Sequence, residues 1–178
     1  MSRFVALLRG INVGGRNKIP MSELADCVRL GGYEDVSTYI QSGNVVFSAS
    51  GRPRAVESDL SRLIHERFAF EIPVVVRSAA EMAAVVDEAP PHYGDPDHRC
   101  DVIFLKHPLV VDEAIAAMPP PKEGVDQFSA GPGVIYASRL TARATSSRIG
   151  RITASPIYPN VTIRNWNTTR KLQQLLST

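Results

Sequence analysis

Phe4-Val5-Ala6-Leu7-Leu8 is an unbroken apolar run, and the elements that follow it decide how the first half of the chain folds. A strand with one wet face alternates apolar and polar side chains, whereas a continuous run marks a strand buried on both faces. A glycine-rich loop comes next, Gly10 to Ile19, and Pro20 stands where a helix can start. Met21, Leu24 and Val28 repeat at helical spacing until Gly31-Gly32 stop the pattern. Val36 to Ile40 and Val45 to Phe47 flank Ser42-Gly43-Asn44, which reads as a hairpin turn. Val56, Leu60, Leu63, Ile64 and Phe68 form an apolar helical stripe, and Pro73-Val74-Val75-Val76 reads as a strand with its proline at the first position. The order β-α-β-β-α-β predicts a four-stranded antiparallel sheet with helices on one face, the ferredoxin-like arrangement.

The second half repeats that order. A helix over 78–88 and a loop rich in Pro, Asp and His lead to the strand Val102 to Leu105. Val111, Ile115 and Met118 mark a helix closed by Pro119-Pro120-Pro121. Val125 to Ser129 and Val134 to Ser138 flank a second hairpin turn, Ala130-Gly131-Pro132-Gly133. Residues 141–152 are weakly helical, Val161-Thr162-Ile163 is a short strand, and Leu172, Leu175 and Leu176 close the chain in a helix. The expected architecture is therefore α+β, with two tandem ferredoxin-like modules. The first covers 1–77, a connecting helix and loop 78–100, and the second 101–178 with its C-terminal helix. Continuous apolar runs in three strands predict that the modules pack on each other and leave a cleft at their junction.

Composition narrows the function classes. The longest apolar runs are too short to span a bilayer, so no membrane partner is expected. Met1-Ser2-Arg3 leads into only five apolar residues without a small-residue cleavage pattern, so no secretory signal is expected. Two cysteines, Cys27 and Cys100, make no pairing framework, which points to a reducing, cytoplasmic setting. Charge is distributed unevenly: residues 127–178 carry seven Arg and Lys and no Asp or Glu, and residues 1–126 carry thirteen against eighteen acidic. A basic segment of this kind invites anionic partners.

Three stretches together resemble a known family. They are Leu8-Arg9-Gly10-Ile11-Asn12-Val13-Gly14-Gly15 continuing through Asn17-Lys18, Tyr39-Ile40-Gln41-Ser42-Gly43-Asn44-Val45, and Thr162-Ile163-Arg164-Asn165-Trp166-Asn167-Thr168 continuing to Lys171-Leu172. In this order they are similar to the uncharacterised bacterial family known as domain of unknown function 1697. The resemblance implies a duplicated α+β fold and a soluble bacterial protein, and it implies no activity. Arg16 stands where the family would lead one to expect Lys, which keeps the charge.

The same stretches hold the candidate site residues. In the first loop, Gly14 and Gly15 permit left-handed backbone, so that successive N–H groups can cradle an anion with help from Lys18. Gly10 and Gly15 have Walker A spacing, but Arg16-Asn17 replace its Lys-Ser/Thr pair. The structural alternative is a tight strand-to-helix connection. Gln41 and Asn44 present amides beside a turn, although turn chemistry alone explains Ser42-Gly43-Asn44. Arg164-Asn165-Trp166-Asn167 combines a planar cation, two amides and the single Trp where a strand gives way to a helix. Arg164 can grip a phosphate or carboxylate and Trp166 can stack a flat ligand. The structural alternative has Asn165 or Asn167 capping the helix, Trp166 filling the core and Arg164 pairing with an acidic residue. His92, Asp95, Asp97, His98, Cys100 and Asp101 match no structural zinc spacing, so no metal site is assigned.

The leading expectation is a small anionic ligand, phosphate- or carboxylate-bearing, held at the module junction by Asn12, Gly14, Gly15, Lys18, Gln41, Asn44, Arg164, Asn165, Trp166 and Asn167. The sequence names no cofactor, and it does not decide whether the protein is an enzyme. Nucleic-acid binding through the basic C-terminal segment is a second expectation. The aromatic platform of the RNA-recognition module is missing, since the corresponding strands offer only Phe4 and Phe47. The third is a structural or interaction protein without a ligand.

Overall fold

A computed structural model describes residues 1–178. The chain divides into two compact units, residues 1–82 with 172–178, and residues 83–171. No helix is long and apolar enough to cross a membrane.

In the first unit, β1 (Ser2–Leu8), α1 (Met21–Leu30), β2 (Glu34–Tyr39), β3 (Asn44–Ala49), α2 (Pro53–Phe68) and β4 (Val74–Ser78) follow the predicted order. The strands lie β2-β3-β1-β4, and neighbouring strands are antiparallel. Every residue from Phe4 to Leu8 and from Val74 to Val76 is at most 1% exposed, so these runs are covered on both faces. On one face, Phe4, Ala6, Leu8, Val45, Phe47, Val74 and Val76 pack with Leu24 and Val28 of α1 and Val56, Leu60 and Ile64 of α2. Pro53 fills the first helical position of α2. Ala69 ends the helix in the left-handed region, at φ 57°, its N–H donating to the His65 carbonyl at 2.8 Å. α3 (Ala79–Asp87) begins behind a reciprocal cap. The Ser78 hydroxyl accepts from the Glu81 N–H at 3.3 Å, and Glu81 accepts from the Ser78 N–H at 2.7 Å.

The second unit holds β5 (His98–Leu105), α4 (Val111–Ala116), β6 (Asp126–Gly131), β7 (Val134–Leu140) and β8 (Val161–Asn165), followed by α5 (Trp166–Leu176). Its strands lie β6-β7-β5-β8, again antiparallel. Where the first unit has the 16-residue α2, this unit has three short 3-10 turns, Thr141–Ser146, Ile149–Ala154 and Tyr158–Asn160. Weak helical patterning over 141–152 thus resolves into 3-10 turns rather than an α-helix.

Both hairpins differ in detail from the sequence reading. Asn44 is the first residue of β3 and fully buried, with its amide donating to the Tyr39 carbonyl at 3.0 Å. The turn lies instead over 40–43, with Ile40 and Gly43 at positive φ. In the second hairpin β6 runs on through Ala130-Gly131, leaving only Pro132-Gly133 between the strands. Ladder pairing to Ile135 and Val134 captures both residues despite their weak strand preference.

Candidate functional site

Strand register places the two modules in correspondence. Arg77 of β4 lies opposite Val5 of β1, and Arg164 of β8 lies opposite Val102 of β5. Phe4 then corresponds to Asp101, Ser2 to Arg99, Ala49 to Arg139, Phe47 to Ala137 and Ser78 to Asn165. In the first module Phe4, Phe47 and Ala49 are buried core, while Ser2 is exposed and Ser78 half-buried: the Phe4 and Phe47 rings stack at 5.9 Å, and Tyr33 meets Phe47 edge-on at 5.0 Å. In the second, the apolar face of Ile103, Leu105, Ile135 and Val161 gives way at one end to Arg99, Asp101, Arg139 and Asn165.

A cleft of about 510 Å³ opens at that polar end, bounded by Gly94, Asp95, Arg99, Asp101, Arg139 and the α5 start, Asn165-Trp166-Asn167. Arg99 and Arg139 face each other directly across β5 and β7. Arg139 Nη1 lies 3.2 Å from Asp101 Oδ2, whereas Arg99 is exposed and makes no ion pair or side-chain hydrogen bond. Like charges directly opposed on neighbouring strands are unfavourable; Asp101 pairs with Arg139, which also has Asp126 opposite it on β6. Burial raises the Asp101 carboxyl above the usual carboxylate range, although Arg139 and Arg99 pull against it. A second cleft of about 450 Å³ shares the two arginines and is completed by Thr141, Ala142, Ala144, Thr145, Ser147 and Gly150, with no acidic residue.

Local contacts hold the walls. Asn165 Oδ1 accepts from the Thr168 N–H at 2.8 Å, so it caps α5 at the cleft. Trp166 is 8% exposed and packs edge-on against Tyr93 at 5.1 Å. Tyr93 in turn meets Tyr136 at 5.4 Å and donates its hydroxyl to the Asp101 carbonyl at 2.7 Å. A side chain at position 94 would come within 3.5 Å of the Trp166 indole nitrogen, and Gly94 has φ 96°. His92 Nε2 lies 2.8 Å from Ser138 Oγ, and burial, then the nearby His98, draws its pKa down. The second cleft's wall hangs on Asp126, whose Oδ2 accepts from the Lys122 and Arg148 N–H groups at 2.8 Å each.

A model of the family described as protein of unknown function, DUF1697, matches residues 1–136. The chain belongs to the DUF1697 family. The match spans the first module and most of the second sheet and ends before β8. A solved structure, that of the conserved bacterial protein SP0830 from Streptococcus pneumoniae, is similar at a TM-score of 0.88 and 27% identity, covering 98% of each chain. No curated protein matches.

The sequence-predicted residues of this DUF1697 chain take different places. Asn12 binds its own loop: its Oδ1 accepts from the Ile19 N–H at 2.9 Å, and its amide donates to the carbonyls of Ile19 at 2.8 Å and Gln41 at 3.2 Å. The first loop and the 40–43 turn are thereby tied together. Gly43 allows the approach, since a Cβ there would lie 2.9 Å from Ile11 and Leu8 side-chain atoms. Gly14, Gly15, Lys18 and Gln41 are exposed. Asn165, Trp166 and Asn167 all line the first cleft of the second unit. Arg164 is not among its lining residues, because strand alternation turns it to the other face. It is buried, donates to Thr162 Oγ1 and the Ile163 carbonyl at 2.9 Å each, and burial draws its pKa down to about 10. Sequence reasoning missed the opposed Arg99 and Arg139 and read Asp101 only as a possible metal ligand. The available signal was a polar Arg99-x-Asp101 pattern leading into an apolar strand, but the register that brings Arg139 opposite appears only on pairing.

Proposed function

We propose that the second module binds a small anionic ligand over the Arg99–Arg139 pair, at the start of α5. The observation that carries this reading is the direct opposition of two arginines beside open clefts, at positions where the first module has Ser2 and Ala49. An anion between the guanidiniums relieves their repulsion and accepts charge-assisted hydrogen bonds from both. The helix start adds partial positive charge, and the Asn165 and Asn167 amides supply orienting groups. Both modules are read as ferredoxin-like, a reading supported by the element order of the first and by the shared strand orders β2-β3-β1-β4 and β6-β7-β5-β8.

Calorimetric titration of the full chain with inorganic phosphate and with malonate tests the site. Binding of at least one anion is expected, with affinity falling tenfold or more in Arg139→Ala and in Arg99→Ala while their melting temperatures stay near that of the parent. Unchanged affinity in both variants overturns the reading. Arg143 and Arg151, exposed on the 3-10 segment that walls the second cleft, favour nucleic acid as the second reading. That reading predicts steeply salt-dependent binding that Arg143→Ala and Arg151→Ala weaken more than Arg99→Ala.

A further inference from the structure

We infer that the ligand is a phosphate monoester whose organic part is rich in hydroxyl or amino donors, the chemistry shared by sugar phosphates and nucleoside monophosphates. This rests on the anion site proposed above and adds the ligand's class and direction. The two clefts meet at the Arg99–Arg139 pair, which belongs to the lining of both. They are chemically unlike. The first presents the carboxylates of Asp95 and Asp101 with the amides of Asn165 and Asn167. The second presents the hydroxyl residues Thr141, Thr145 and Ser147 and no carboxylate.

A ligand bridging the arginines is therefore directed. Asp95 and Asp101 repel an anionic end from the first cleft and accept hydrogen bonds from hydroxyl or amino groups placed there. The anionic end lies on the guanidiniums toward the second cleft, where the Thr145 hydroxyl can donate, while the Thr141 hydroxyl donates to the Pro96 carbonyl at 3.2 Å and that of Ser147 to Asp126. Two arginines with the Thr145 hydroxyl suit a tetrahedral group with three terminal oxygens better than a planar carboxylate with two. The first cleft, at about 510 Å³, is of ligand-pocket size and holds the organic part. The edge of Trp166 and the fixed backbone of Gly94 limit its depth.

The test is calorimetric titration of the full chain with ribose 5-phosphate, adenosine monophosphate, inorganic phosphate, malonate and ribose. At least one monoester is expected to bind ten times more tightly than inorganic phosphate, malonate or ribose, and comparing the two monoesters separates the sugar phosphate from the nucleotide. Asp101→Asn is expected to lower monoester affinity by about tenfold without weakening inorganic phosphate, and a thermal melt confirms its folding. Inorganic phosphate or malonate matching both monoesters overturns the inference and leaves the anion site standing. Loss of every Arg139-dependent anion response overturns the anion site as well.

Discussion

The helix-facing ends of the two sheets occupy the same topological position and hold opposite chemistry. In the first module Phe4, Phe47 and Ala49 are buried under α1 and the 16-residue α2. In the second, Asp101, Ala137 and Arg139 take those positions, and short 3-10 turns replace α2. A long amphipathic helix needs an apolar sheet face to bury its stripe, and a polar sheet end needs water or a ligand. The difference teaches that one strand frame serves as closed core in one copy and as open cleft in the other. The frame leaves the solvent side of that end undetermined, and the covering segment decides it.

A buried ion pair in the first module sharpens the contrast. Arg77 lies 4.0 Å from Glu57, which α2 supplies, and both side chains are 3% exposed. Burial lowers the Arg77 pKa, with Glu81 and Glu57 opposing the shift. Residues 141–160, which stand in place of α2, contain no acidic residue.

The largest effects are expected in the first module. Glu57→Ala takes a carboxylate from buried Arg77 and leaves the Val76 N–H, which Glu57 accepts at 2.9 Å, without that partner. The expected loss is about 3–5 kcal/mol in denaturant unfolding. Phe4→Ala empties the stacked pair and is expected to cost a similar ~3–5 kcal/mol, whereas a change at the corresponding Asp101 costs far less. Comparable losses at Phe4 and Asp101 would break the contrast between core and cleft.

An intermediate effect is expected at Asp126. Burial alone would raise its carboxyl, but the Ser147 hydroxyl and the Arg148 and Lys122 N–H groups hold it below the ordinary value of 3.8. A depressed folded pKa contributes stability above the ordinary value, and that stability is lost as pH falls through the folded pKa. Asp126→Ala is expected to cost about 1–3 kcal/mol at neutral pH. Acid melts should show a smaller additional loss below the ordinary carboxylate range than the parent shows.

The smallest effect is expected at Asp101, with the opposite sign in pH. Its folded pKa lies above 3.8, so the fold gains stability as pH falls from the folded value toward 3.8 and loses it as pH rises through the folded value. Asp101→Asn is expected to change neutral stability by less than about 1 kcal/mol, since its pair with Arg139 is partly solvated. Melting curves across acid pH should lose that gain in the variant. A strongly destabilised Asp101→Asn would mean that this end of the second sheet is core after all.

Apolar continuity and period alone determined the strands Phe4–Leu8, Val74–Val76 and Val102–Leu105, the helix stripes of the first unit and the repeated order of the strands, but not the 3-10 turns over 141–160. These are local properties, written in spacing and turn residues. The Asn165 cap and the burial of Trp166 were legible as alternatives, and local hydrogen bonding and ring packing selected them. Pairing across more than thirty residues decided the rest. Register set Arg99 opposite Arg139 and turned Arg164 to the other face, because a strand's two-residue period gives each side chain a face only once its partner is known. Packing of residues 141–160 then left the polar end open, which no window of sequence reveals because it depends on what the covering segment fails to reach.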